Sequence, residues 1–166
     1  MPGEIPSSEP SVIEPEGRPG VVMLALSTFR HSEHAIALAL DKAAEGKELV
    51  VAYIADVNLA RYLVGTDVGL FPELKHQTEK AILEENEQKA RRKAQSIADL
   101  AAERDIPVRI YARIGRFAVE CLKIVEQERP SLVVTTRSGR PGWVRRFFGS
   151  PVDKLLARAG CPVIEV

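Results

Sequence analysis

Three features of the sequence predict an α/β domain in which helices cover both faces of a mainly parallel sheet. Short apolar runs of strand length alternate with longer amphipathic stretches, giving four strand-helix pairs and a closing strand. The runs are apolar at consecutive positions rather than at every second one, as strands buried on both faces require. Glycine, proline and hydroxyl residues fall at the junctions, where helices start and stop. Strands linked through helices in this order pair in parallel, and the outcome is a three-layer α/β/α domain.

Taken in order, residues 1–19 are rich in Pro, Glu, Ser and Gly, with Ile5, Val12 and Ile13 among few large apolar groups. Such a segment buries too little surface to offset its ordering entropy, and a disordered acidic tail is expected ahead of a domain at residues 20–166. Val21 to Leu26 is a continuous apolar run that fits a central strand. Ser32 and Glu33 open an amphipathic helix carrying Ile36, Leu38, Ala39 and Leu40, and Gly46 ends it. Leu49 to Ala55 gives a second buried strand. Asp56 and an irregular stretch through Phe71-Pro72, with Gly65 and Gly69, then form an expected rim or lid.

From about Glu73 to Arg104 the chain is charged and rich in Ala and Leu, with Ile82, Leu83, Ala90, Ala94, Ile97, Leu100 and Ala101 supplying a helical stripe. Its many acid and base pairs predict an exposed helix face. Pro107 to Ile114 alternates Val108, Ile110, Ala112 and Ile114 with polar residues, Gly115 breaks it, and Phe117 to Gln127 makes another helix. The fourth run, Leu132 to Val134, ends in the polar cluster Thr135, Thr136, Arg137 and Ser138. Gly139 and Gly142 follow, and Gly149-Ser150-Pro151 starts a helix, with Ser150 as N-cap and Pro151 at the first helical position. Pro162 to Val166 is the closing strand.

Composition narrows the function. The 166 residues are 45% hydrophobic and 28% charged, with Lys+Arg and Asp+Glu equal at 23 each. That balance recommends neither nucleic acid nor an acidic membrane as partner, and no apolar run approaches the roughly 20 residues of a membrane span. The N-terminus lacks the basic and apolar regions of a signal peptide, and Cys121 and Cys161 have no paired or metal spacing. A cytoplasmic protein with a small ligand is expected.

Familiar catalytic patterns are missing. Leu26 to Ser32 has no glycine for a dinucleotide turn, no Gly-Lys-Ser/Thr occurs, and Ser138 lies in Thr-Arg-Ser-Gly-Arg rather than GxSxG. His31 and His34 have no accompanying ligand pair, so no metal site and no catalytic residue are assigned. Asp56 suits either a ribose acceptor or an Asx turn.

What remains is either an anion site or an ordinary glycine loop and Ser-Pro helix start beside a solvated arginine face. From Arg137 to Arg158 the chain holds Arg137, Arg140, Arg145, Arg146, Lys154 and Arg158 against the single acid Asp153. They lie beside a glycine loop and a helix N-terminus, whose open N–H groups favour phosphate. In open α/β sheets the ligand crevice lies at the carboxyl ends of the strands where strand order reverses. Ser27-Thr28, Ile54 to Asp56 and Thr135 to Gly139 would converge there.

Gly139, nine residues, then Gly149-Ser150, with the ending Cys161-Pro162-Val163-Ile164-Glu165-Val166, resembles the universal stress protein family. Val21 to Leu26 with Ser32 and Ala35, Glu48 to Asp56, and Gly115 ahead of the third helix extend the resemblance over residues 20–166. It implies a five-stranded parallel sheet of order 3-2-1-4-5, similar to the adenine nucleotide alpha hydrolases, and a homodimer through the last strand. It also implies an adenine nucleotide, ATP with magnesium, in the crevice between strands one and four. Gly139, Gly149 and Ser150 match the phosphate-binding Gly, two residues, Gly, nine residues, Gly-Ser/Thr of one branch, with Thr136 at its first glycine. Ser27 stands where ATP-binding members tend to carry aspartate, and Ile54 matches a position whose backbone contacts adenine. The alternative is the family's non-nucleotide-binding dimeric scaffold, with Thr136 filling the site, and a weak ATP hydrolase is a third reading.

Overall fold

The computed structural model describes residues 20–57, 72–137 and 151–166. Five strands form one sheet: β1 (Val21–Ser27), β2 (Glu48–Asp56), β3 (Val108–Gly115), β4 (Leu132–Thr135) and β5 (Val163–Glu165). Every neighbouring pair is parallel and the order is β3-β2-β1-β4-β5, so the chain starts at the middle of the sheet and reverses direction across it between β1 and β4. Helices α1 (Glu33–Ala43), α2 (Pro72–Ala102), α3 (Phe117–Glu128) and α4 (Pro151–Arg158) supply the outer layers.

Alternate residues of the buried strands build two separate cores. Val22, Leu24 and Leu26 of β1 with Leu49, Val51 and Tyr53 of β2 meet Ile36, Ala39 and Leu40 of α1 and Ala90, Ala94 and Ile97 of α2. On the other face Met23, Ala25, Val50, Ala52 and Ile54 meet Phe117, Cys121 and Ile124 of α3 and Val152 and Leu155 of α4. Every residue of β1 is buried, which is why its sequence is apolar without alternation. The small residues Ala90, Ala94 and Ala101 let α2 lie close to the sheet.

The helix ends follow local chemistry. Ser32 is the N-cap of α1 and its Oγ accepts the Ala35 N–H at 3.3 Å. Beyond Ala43 a short turn leads to Gly46, whose φ of +81° a side chain would resist. At the end of β3 a Cβ on Gly115 would come within 2.6 Å of Glu120 Cγ, so this junction admits no side chain without movement of the glutamate.

The two edges of the sheet differ. β3 keeps Ile110 and Ile114 partly exposed, and its Tyr111 donates to the buried carboxylate of Glu128 on α3. Arg109 Nη2 sits 2.9 Å from the second oxygen of that carboxylate and 2.8 Å from Glu48. The Arg109–Glu128 contact is an ion pair without good hydrogen-bond geometry, since that oxygen has no hydrogen-bond partner. The β5 edge is three residues long, with Ile164 exposed and one side of the strand unpaired among the described residues. The tail at 1–19 and the rim at 58–71 fall outside the described residues.

Candidate functional site

The carboxyl ends of β1 and β4 face each other across the strand-order reversal, and a tight turn shapes the space between them. After β1 the backbone closes at once: Ser27 N–H donates to Arg30 O at 3.0 Å and Arg30 N–H returns to Ser27 O at 2.8 Å. The Ser27 hydroxyl accepts the Phe29 N–H at 3.3 Å, a local bond typical of serine in turns. Thr28 N–H reaches Ile54 O at 3.3 Å and ties the turn to β2.

This turn carries Arg30 into the interior. The residue is 3% exposed, its Nη1 donates to Thr136 O at 2.8 Å, and its guanidinium lies 4.8 Å from the centre of the Phe117 ring. A planar cation stacked on an aromatic face and bonded to a carbonyl recovers part of what it loses by leaving water. Arg30 therefore joins the β1 turn, the end of β4 and the start of α3. Beneath it the Cys121 thiol is fully buried, and burial pushes its pKa well above the usual thiol range while the nearby Arg30 charge opposes the shift. Such a thiol is unreactive at neutral pH.

Of the six nucleotide-site residues expected from sequence, Ser27, Ile54 and Thr136 lie at these strand ends. Ser27 and Ile54 are register partners on β1 and β2 and are buried. The Ile54 carbonyl accepts from the Thr28 N–H. The Thr136 side chain takes no part in the Arg30 contact: its hydroxyl donates to Val166 O at 2.9 Å, while its own carbonyl serves Arg30. The neighbouring Thr135 hydroxyl donates to Ala25 O at 2.8 Å, fastening β4 to β1. Gly139, Gly149 and Ser150 lie outside the described residues, as do Ser138, Arg140, Gly142, Arg145 and Arg146.

Asp56 ends β2, buried and opposite Gly115. Arg137 is exposed and lies 3.6 Å from Glu165. Among the described residues no cluster of His, Cys, Asp or Glu is arranged to hold a metal, and no helix is long and apolar enough to cross a membrane. The residue that sequence reasoning missed is Arg30. No spacing in Ser27 to Ser32 marks it, because its partners Thr136 and Phe117 are distant in the chain.

The fold and strand order have clear counterparts among solved structures. The universal stress protein UspA from Lactobacillus plantarum aligns with a TM-score of 0.59 at 15% identity, covering 90% of this chain and 99% of that one. A universal stress protein family member from Burkholderia pseudomallei aligns with a TM-score of 0.52 at 19% identity, covering 87% and 94%. A universal stress protein solved in complex with cAMP aligns with a TM-score of 0.56 at 14% identity, covering 90% and 98%. Comparison with curated proteins returned no match. The model of the universal stress protein family matches residues 20–166, and the chain belongs to that family.

Proposed function

We propose that this is a cytoplasmic stress-response protein that binds an adenine nucleotide in the crevice between β1 and β4. The observation that carries the reading is the convergence of Ser27, Ile54 and Thr136 at the strand-order reversal, where open parallel sheets take their ligands and where the Arg30 guanidinium adds positive charge. Ser27 and the Ile54 backbone flank the nucleoside position. Gly139, Gly149 and Ser150, which lie between β4 and α4 in the sequence, hold the phosphates of ATP with magnesium through backbone N–H and hydroxyl groups. The related protein solved with cAMP supports the ligand class. The outer side of β5, unpaired among the described residues, supports a homodimer through that strand, since an open strand edge offers N–H and C=O groups to another chain.

One observation favours the scaffold alternative. Arg30 already has Thr136 O and the Phe117 ring as partners, so it also suits a brace that needs no ligand. Isothermal titration of ATP with magnesium, AMP and cAMP separates the readings. Nucleotide binding gives saturable heat that Gly139→Val abolishes, whereas a scaffold gives no saturable heat with any of the three.

A further inference from the structure

The other face of the β1 turn borders a groove of about 530 Å³ between that turn and α2, of a volume suited to a small organic ligand. Lys89, Arg92, Lys93 and Ser96 line one wall at spacings of three, four and seven, so they share one face of α2. Ala90 is too short to fill the space between them, and the opposite wall is Thr28, His31 and the ring of Tyr53.

The cations of this wall are unequally paired. Lys89 is matched by Glu85 at 2.8 Å, and the neighbouring Arg91, outside the groove, by Glu87 at 2.9 Å. Arg92 and Lys93 have no ion-pair partner among the described residues, and neither has an acid three or four positions away on the helix. Arg92 acts on Glu85 only at a distance, helping Lys89 to hold that carboxyl below its usual pKa. Among the described residues no carboxylate lines the groove, and Glu33, two residues beyond His31, is occupied by His31 Nε2 at 3.0 Å. His31 Nδ1 lies 3.4 Å from the Tyr53 hydroxyl, and burial pushes the tyrosine pKa up, so that hydroxyl stays a donor at neutral pH. The Ser96 hydroxyl already donates to Lys93 O at 2.8 Å, so the wall of α2 offers the cations and the opposite wall the Thr28 and Tyr53 hydroxyls, a combination that suits an oxyanion.

We propose that this groove is a second ligand site, distinct from the crevice, that takes a phosphorylated small molecule with its phosphate on Arg92 and Lys93. The Tyr53 and His31 rings, with the aliphatic stems of the α2 cations, contact the remainder of the ligand. Arg30 and Thr28 leave the same short turn toward different helical layers, so the crevice and the groove do not share charged groups.

Inorganic phosphate is the probe, titrated against the labelled full chain at constant ionic strength while amide shifts are followed. Saturable shifts are expected at Thr28, His31 and Lys89 to Ser96. The double variant Arg92→Gln/Lys93→Gln weakens binding by about tenfold or more, while Arg91→Gln, a cation outside the groove, leaves it within about twofold. Three results overturn the site: no saturable shift, shifts confined to Ser27 and Thr135 to Arg137, or equal weakening by Arg91→Gln and the double variant. Loss of nucleotide binding in Gly139→Val, with phosphate still binding here, sinks neither site and separates the two.

Discussion

The two faces of one turn show how burial changes what a cation is for. Arg30 is nearly inaccessible, stacked on Phe117 and bonded to Thr136 O, and its position is fixed by the fold. Arg92 and Lys93 stand exposed on α2, and no ion-pair partner among the described residues fixes where their ends lie. A buried charge without partners would unfold its surroundings, so the fold must supply them. An exposed charge carries no such requirement, and for that reason its side chain is available.

The contrast can be broken most forcibly at its platform. Phe117 is 2% exposed and belongs to the core of the α3 face, so Phe117→Ala removes a full aromatic ring and the surface on which Arg30 stacks. A loss of about 3–5 kcal/mol in urea unfolding is expected. A loss below about 1 kcal/mol would mean that the ring holds neither the core nor the arginine.

A smaller effect comes from the cation itself. Arg30→Gln shortens the side chain away from Thr136 O and leaves a buried carbonyl without its donor, costing about 1–3 kcal/mol. Arg92→Gln and Lys93→Gln stay within about 0.5 kcal/mol of the parent, as surface changes do. Equal losses at the buried and exposed positions would erase the distinction.

The smallest effect is alkaline. Burial raises the pKa of Tyr53, and burial together with the Glu128 carboxylate raises that of Tyr111. Folding therefore favours the neutral phenols. Their contribution is complete below the unfolded tyrosine pKa of about 10 and is lost as pH climbs through the raised folded values. Stability of the parent should fall above about pH 10, and Tyr53→Phe should flatten that fall, as read from midpoints of urea unfolding between about pH 9 and 11. An unchanged alkaline slope in Tyr53→Phe would exclude Tyr53 as its source.

Much of the fold was legible because its signals are local. Ser32 caps α1 as its position before an apolar stripe suggests, and the unbroken apolarity of Val21 to Leu26 places β1 at the buried centre. Strand order came through the family resemblance, since apolar runs alone do not rank five strands. The site was less legible. Ser27, Ile54 and Thr136 could be placed at strand ends, but Arg30 gains its meaning from a carbonyl 106 residues away. Tyr53 lies inside an apolar run, and nothing there tells that its hydroxyl emerges beside His31. The α2 charges read as an ordinary solvated face. The absence of acids three or four residues from Arg92 and Lys93 was visible and marks them as unlike Lys89 and Arg91.

β1 is bonded along both flanks, to β2 through seven residues and to β4 through four. Its amides should therefore be among the last in the protein to trade hydrogen for deuterium, released only when the whole domain opens. The turn that begins at Ser27 grows directly from that strand. Whatever binds on either side meets a fixed ruler, and recognition is a matter of what approaches the turn.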